Sequence, residues 1–335
     1  MEFEHLITAI DSHTAGEPTR IVTGGLPFIP GKSMAEKKHY LREKLDYVRT
    51  ALIQEPRGYR DMFGAILVPP VSGEADLGVV FIGCGRYYNM CGHGSIGIAV
   101  VALKMGWIEA VEPFTDVVLD TPAGLIRARV AVKDGKIGKG AIRNVPCFLH
   151  TPDFEVEVPG VGTVRLDIAF GGNFFALVEA GQLGMEIEPE YAEAFQKKGL
   201  AIREAVNRRA KIVHPVLGHI TGLEEVMFYA GNRNVVILGE GSVDRSPCGT
   251  GTSARMAALF AKGELELGQE FVHESIIGTR FYGRLVEEAS IGDFRAVVPE
   301  LESEAYITGI HQWVMEPDDP LKHGFLLGEM GECEA

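Results

Sequence analysis

Two cysteines stand in settings where cysteine does chemistry. Cys91 opens the run Cys91-Gly92-His93-Gly94-Ser95, and Cys248 opens Cys248-Gly249-Thr250-Gly251-Thr252. Helix-compatible residues follow each run for about 11 positions and end at a glycine, Gly106 or Gly263, which predicts a helix starting at each cysteine. A thiol at a helix N-terminus sits at the positive end of the helix dipole, so its thiolate is expected to be favoured. The glycines let backbone approach a ligand, and the amides of the first turn are free to bind an anion such as a carboxylate. His93 lies two residues after Cys91, and Asp244 four before Cys248, so a cationic amine could be held between them. Two thiols facing one ligand suit the inversion of a stereocentre. One takes the α-proton from one face, and the other delivers a proton to the opposite face.

The elements around these loops are repeated. The cysteine loops are 157 positions apart, as are Gly106 and Gly263. Val79-Val80-Phe81-Ile82-Gly83 pairs with Val235-Val236-Ile237-Leu238-Gly239 at 156 positions, and Gly16, Ile21-Val22 and Gly25 pair with Gly172, Leu177-Val178 and Gly181 at the same spacing. Matches in register with a drift of one residue indicate two homologous halves, roughly 1–125 and 155–300. The β-branched runs read as buried strands, so each cysteine falls where a loop after a strand turns into a helix. Alternating stretches at Val117 to Leu119, Leu125 to Val132 and Phe281 to Leu285, with turns at Pro122-Ala123-Gly124 and Lys133-Asp134-Gly135, add antiparallel strands. The expected class is α/β (α+β), a mostly antiparallel sheet wrapped around one central helix in each half. The domains are expected at 1–125, completed by 303–330, and at 126–302, with the active site in the cleft between them. A polar helix is expected over Pro189 to Ala210, and the tail from Ala305 to Phe325 is strand-like, then turn-rich.

Composition narrows the function. The 335 residues are 46% hydrophobic and 23% charged, which is globular rather than disordered. With 32 basic and 46 acidic residues the net charge is −14, which repels a phosphate backbone, so no nucleic-acid partner is expected. No signal-peptide pattern opens the chain, and its longest apolar runs fall far short of the roughly 20 residues that span a bilayer. Five cysteines, Cys84, Cys91, Cys147, Cys248 and Cys333, are too few and too odd in number for a disulfide framework. The chain reads as a soluble cytoplasmic protein with free thiols and no membrane partner.

The residues around both cysteines resemble the two signatures of the proline racemase family: Asn89-Met90-Cys91-Gly92-His93-Gly94-Ser95-Ile96-Gly97 and Asp244-Arg245-Ser246-Pro247-Cys248-Gly249-Thr250-Gly251-Thr252-Ser253-Ala254. Ile10-Asp11-Ser12-His13-Thr14-Ala15-Gly16-Glu17, Glu55-Pro56-Arg57-Gly58, Asp61-Met62-Phe63-Gly64, Ala305-Tyr306-Ile307-Thr308-Gly309 and Asp319-Pro320-Leu321 match further blocks, so the resemblance runs from about residue 7 to 326. It implies a diaminopimelate-epimerase-like fold of two pseudo-symmetric halves, no pyridoxal phosphate or other cofactor, and a homodimer. It also implies an isomerase with a two-base mechanism, in which Cys91 and Cys248 are the acid–base residues. The amides of Gly92, His93, Gly94, Gly249 and Thr250 would then hold the substrate carboxylate, and His93 and Asp244 its ring nitrogen. Cys248 argues against the family's trans-3-hydroxyproline dehydratases, which usually carry threonine there. In members acting on proline the positions of Phe63 and Leu238 tend to be apolar, as they are here. The expected reaction is therefore interconversion of L- and D-proline. The alternative is 4-hydroxyproline 2-epimerisation, and a rival from another class is a thiol redox or binding protein.

Other residues carry blander readings. Cys84, Cys147 and Cys333 are expected to be inert, buried or at the tail. His214 and His219 lack a second ligand pair, so no metal site is expected. A hydrolase pair of Cys91 and His93 is disfavoured because residues two apart at a helix start are expected to splay. The stretch Gly25-Leu26-Pro27-Phe28-Ile29-Pro30-Gly31-Lys32-Ser33 has five residues between its glycines, not the four of a phosphate loop, and reads as a turn. The mixed-charge stretch from Glu36 to Lys44 reads as a solvated helix.

Overall fold

The apolar runs isolated by the repeat are strands buried on both faces. In a computed structural model describing residues 3–218, 220–239 and 241–327, the chain divides into two compact units. One is Met1–Ile142 with Ser303–Ala335, and the other is Arg143–Glu302. In strand Leu77–Ile82, Val79 and Phe81 face one core while Val80 and Ile82 face another. In strand Arg233–Ile237, Val235 and Ile237 likewise face away from Val236. A strand whose alternate residues are covered on both sides has no polar face, which is why it reads as an unbroken apolar run.

Both units repeat one topology. In the first, the strands run in the spatial order Ala305–Met315, His5–Thr14, Glu17–Gly24, Gly64–Val68, Leu77–Ile82, Phe114–Thr121, Gly124–Lys133 and Lys136–Arg143. In the second, the order is Cys147–Val158, Gly162–Phe170, Phe174–Glu179, Glu225–Ala230, Arg233–Ile237, Glu270–Ser275, Arg280–Ile291 and Phe294–Ser303. Successive pairs in each are antiparallel, antiparallel, parallel, antiparallel, parallel, antiparallel and antiparallel. The second set closes on itself where Ala296 and Val297 pair with Phe148 and Cys147.

Among the described residues the first unit holds three α-helices: α1 (Met34–Lys44), α2 (Asp46–Ile53) and α3 (Gly92–Lys104). Two belong to the second: α4 (Ala192–Arg209) and α5 (Gly249–Ala261). α3 and α5 are the central helices. Every residue of α3 from Gly92 to Leu103 is buried. Strands at both ends of the sheet order touch it: a Cβ on Gly140 would lie 3.1 Å from Ile96, and Lys104 Nζ donates to the Ala305 carbonyl at 2.8 Å. α1 and α2 cover the outer face of the first sheet through Leu41, Val48 and Leu52, and α4 covers that of the second through Phe195, Ile202 and Val206.

The long polar helix falls where expected, as α4 behind a short turn at Pro189–Tyr191. The tail forms strand Ala305–Met315 and pairs along the whole of His5–Thr14. The stretch Gly25 to Ser33 leads into α1 as a turn, with the Ser33 side chain capping the helix by accepting from Glu36 N at 3.1 Å. α1 is solvated along one face and buries Met34, Lys37 and Leu41 on the other, where the Lys37 ammonium donates to the Pro69 carbonyl at 2.9 Å. One boundary needs correction. Residues 126–142, assigned above to the second half, belong to the first unit, because Gly124–Lys133 pairs residue for residue with Phe114–Thr121 and the next hairpin follows directly.

Arg20 ties the first unit together. It is 5% exposed, and its guanidinium grips both Asp11 carboxylate oxygens at 2.9 and 2.8 Å and donates to the carbonyls of Leu52 and Arg57 at 2.6 Å each. The Trp313 ring lies 4.3 Å from it, which brings the C-terminal strand into the same contact. Removing this cation leaves a carboxylate and two carbonyls without their donor in a dry site. Arg20→Leu is expected to lower unfolding stability by about 3–5 kcal/mol, measured by urea denaturation.

Candidate active site

In each unit a strand delivers the chain to a cysteine that is the N-cap of the central helix. Helical hydrogen bonding starts with Ser95 N–H to the Cys91 carbonyl at 3.1 Å and with Thr252 N–H to the Cys248 carbonyl at 2.8 Å. The amides of Gly92, His93, Gly94, Gly249 and Thr250 therefore lack acceptors within their own helices. The spacing Cys-Gly-x-Gly has a steric cause. A Cβ on Gly94 would lie 2.7 Å from Phe81, and one on Gly251 would lie 2.7 Å from Met227, so a side chain there would push the helix start off the sheet.

Around Cys91 the setting is aromatic. Its sulfur lies 3.2 Å from His93 Nδ1, so the two side chains do not splay as the sequence suggested. The extended cap, with φ −147° and ψ 130°, lets the thiol fold back over the first turn. His93 is buried, with its ring edge-on to Phe63 at 4.7 Å, and Phe63 in turn lies 5.3 Å from Tyr88. Burial pulls the imidazole pKa down to about 3, against an opposing hydrogen bond to the Pro18 backbone. His93 is thus a neutral ring near pH 7. It is too weak a base to form a hydrolase-type ion pair with Cys91.

Around Cys248 the setting is strained and acidic. Cys248 adopts φ 61° and ψ 114°, a left-handed backbone that a residue with a Cβ rarely takes and that costs on the order of 1–3 kcal/mol. Its sulfur accepts from Gly251 N–H at 3.4 Å and lies 3.5 Å from the Thr250 hydroxyl. These contacts favour thiolate, as the helix start was expected to do. They are outweighed: burial first, then the carboxylates of Asp244 and Glu225, push the thiol well above its ordinary value. Asp244 is buried and also braces the loop, accepting from Ser246 N–H at 2.7 Å. Leu238 packs partly buried in the cluster that holds Cys248, Phe175 and Met227.

Of the residues expected at the site, Phe63 and His93 thus lie beside Cys91, and Asp244 and Leu238 lie in the unit of Cys248. Sequence reasoning missed Glu225. It opens an otherwise apolar strand beside Glu224, a place that looks like the end of a loop, and only the parallel pairing of that strand with Phe174–Glu179 brings it inward. Its Oε1 accepts from Asn173 Nδ2 at 3.2 Å. The inert readings fit their places. Cys84 and Cys147 are buried and in no disulfide, and burial raises the pKa of Cys147. His214 sits among Phe148 and Phe170 and accepts from two backbone amides, those of Val216 and Leu217, at 3.2 and 2.9 Å. His219 and Cys333 lie outside the described residues. Among the described residues no His, Cys, Asp and Glu cluster could hold a metal ion, and no helix is long and apolar enough to cross a membrane.

Comparison with known proteins agrees along the whole chain. The sequence profile of the family described as proline racemase matches residues 9–326. A proline racemase of Clostridioides difficile is 52% identical over 334 residues, covering 98% of this chain and 100% of that protein. A 4-hydroxyproline 2-epimerase of Streptosporangium roseum is 46% identical over 333 residues, again covering 98% and 100%. A crystal structure of a hydroxyproline epimerase from Agrobacterium vitis, with bound trans-4-hydroxy-L-proline, superposes with a TM-score of 0.88 at 35% identity, over 98% of this chain and 97% of that one. The repeated topology, the paired cysteine caps and likeness of this extent lead to one conclusion: the chain belongs to the proline racemase family and is an isomerase of the racemase and epimerase kind.

Proposed function

We propose that this protein interconverts L- and D-proline, with Cys91 and Cys248 as the two acid–base groups acting from opposite faces of one substrate. The observation that carries this reading is that each unit of a repeated fold presents a sulfur at the N-cap of its buried central helix. The α-proton of an amino acid is only weakly acidic, so a carbanion-like transition state needs electrostatic help in a site poor in water. The amides of Gly92, His93, Gly94, Gly249 and Thr250 supply it by holding the carboxylate, into which negative charge spreads as the proton leaves.

Transfer in either direction needs one sulfur without its proton and the other with it. The raised thiol of Cys248 supplies the protonated partner in the resting protein, and Cys91 is the base on the other face. A bound secondary ammonium sets its positive charge against Asp244 and Glu225, the carboxylates that hold that thiol protonated, and so eases the exchange of roles in the reverse direction. The neutral ring of His93 completes the cradle for the ring nitrogen by accepting from it.

Phe63 and Leu238 favour proline over 4-hydroxyproline. Phe63 is 5% exposed and hemmed in by aromatic rings, and Leu238 sits in an apolar cluster, so a 4-hydroxyl meeting these side chains would lose its water without gaining a partner. That loss is about 1–3 kcal/mol. Epimerisation at C2 of 4-hydroxyproline, the activity for which the Streptosporangium relative is named, is the alternative.

The first test is α-proton exchange in D2O followed by NMR, with reduced protein and each substrate in turn. Proline is expected to exchange with appearance of its enantiomer, and kcat/KM should exceed that for trans-4-hydroxy-L-proline by about tenfold or more. Leu238→Ser should narrow that ratio. Faster exchange on hydroxyproline would assign the epimerase instead.

Cys91→Ser and Cys248→Ser should each lower racemisation by about a thousandfold or more in both directions, because neither direction proceeds with one partner missing. Near-normal racemisation in either variant would sink the two-base assignment.

The thiol of Cys248 should also resist alkylation by iodoacetamide until pH rises above its ordinary range. Asp244→Asn removes a negative neighbour, so its alkylation profile should move to lower pH, as read by mass spectrometry of the peptide. An unmoved profile would show that the carboxylate does not set the thiol's protonation.

A further inference from the structure

The two cysteine caps differ, and residues outside the site account for the difference. Cys91 is extended and Cys248 left-handed, although the loops align residue for residue. In the first unit the hydroxyl of Ser95 bonds back to the Cys91 carbonyl at 2.7 Å. Its counterpart Thr252 reaches one residue further, donating to the carbonyl of Pro247 at 3.0 Å, immediately before the strained Cys248. The other contact of the Thr252 hydroxyl is His273 Nδ1 at 2.8 Å.

A carbonyl can only accept, so the Thr252 proton goes to Pro247 and the ring must donate from Nδ1. His273 is completely buried, and its Nε2 has no hydrogen-bond partner. An imidazole with one nitrogen left bare in a dry core is costly to keep for packing alone. Among the described residues the first unit shows no such brace. Leu77 pairs with Leu119 where Arg233 pairs with Glu274, so the register position of His273 is occupied there by Val118. Burial also holds the His273 ring neutral, with a pKa near 3, so it carries the single donor this arrangement needs.

We propose that His273 and Thr252 form a positioning pair for Cys248: the imidazole orients the threonine hydroxyl, which pins the Pro247 carbonyl and holds Cys248 in the left-handed conformation that aims its sulfur. Ser246 completes the clamp from the other side, its hydroxyl accepting from Cys248 N–H at 3.0 Å. The pair touches no substrate and transfers no proton. Its role rests on Cys248 being one of the two acid–base groups.

The test compares His273→Leu and Thr252→Val, which break the brace, with His273→Asn and Thr252→Ser, which keep a side-chain N–H and a hydroxyl. Each disruptive variant is expected to lower kcat by about tenfold to a hundredfold with KM within about twofold, since a small misplacement of a reacting group is enough for such a loss. The double variant should lose no more than the worse single one, and the conservative variants should recover most of the activity. Exchange in D2O adds a readout that mere loss of folded protein does not move. The enantiomer whose α-proton faces Cys91 should still exchange, with more retention relative to inversion, while the other enantiomer loses exchange and inversion together.

A folded His273→Leu with normal kcat would overturn the pairing, as would equal losses of exchange for both enantiomers. Should His273→Leu fail to fold, Thr252→Val, which keeps the histidine, decides by the same criteria. Racemisation that survives in Cys248→Ser would overturn the two-base reading beneath the proposal, and that result is independent of His273.

Discussion

The structure depends on two central helices buried along most of their length against the sheets of their units. A helix so buried satisfies its backbone polar groups internally except at its ends, where four N–H groups have no helical acceptor. At the C-terminal ends the chain turns out through Gly106 and Gly263. At the N-terminal ends it cannot turn out so simply, because the cap residue is itself packed between strands. The positive end of each dipole is therefore held in a region of low dielectric, where an anion is attracted far more strongly than at a surface. With a sulfur at that point and glycines after it, the anion binding and proton transfer proposed for the site would follow from the fold rather than from a loop added to it.

Identical topology has not produced identical chemistry. One sulfur has a neutral imidazole and aromatic rings for neighbours, and the other has two buried carboxylates. Enantiomers have equal free energies in water, so the overall equilibrium of a racemisation is fixed at unity whatever the protein does. The protein has freedom only in its bound states, and there asymmetry is an advantage. Two sulfurs in equivalent settings would compete for one proton with no preferred resting arrangement. On the two-base reading proposed here, carboxylates on one side settle which sulfur keeps it, and a cationic substrate weakens that preference on binding.

How far the sequence reveals this follows from the range of each interaction. The repeat was legible because buried strands and helix starts restrict residue type at fixed intervals, and Val79 to Ile82 and Val235 to Ile237 cannot drift far without uncovering the core. His93 and Asp244 were legible through their nearness in sequence to the cysteines, whereas Phe63 and Leu238 were picked out only through the resemblance to the proline racemase family. The unit boundary was not, because Gly124–Lys133 alternates much like any surface strand and only its hairpin pairing assigns it. Neither was the protonation of Cys248. Helix position and Asp244 are local and visible, whereas the burial that most outweighs the helix start comes from packing, and the second carboxylate from Glu225, twenty-three residues away. The contact between Cys91 and His93 depended on one dihedral pair at the cap, which residue types do not specify.

That competition between local and distant terms bears on why sulfur suits this position. Removing an α-proton needs a strong base, yet a strong base is protonated near neutral pH and so idle. Burial raises a thiol's pKa and makes its thiolate a stronger base once formed, while the helix amides and the Gly251 N–H stabilise that thiolate enough for it to form. A carboxylate in the same place starts from an ordinary value near 4 and would need a far larger shift to match it as a base. A lysine amine starts near 10, but its charged form would be opposed by the dipole and would leave a cation where the substrate brings its own. A thiol is neutral when protonated and anionic when not, and its ordinary pKa lies between those of a carboxyl and an amine, so on the two-base reading both its states fit between a helix N-terminus and a zwitterionic amino acid.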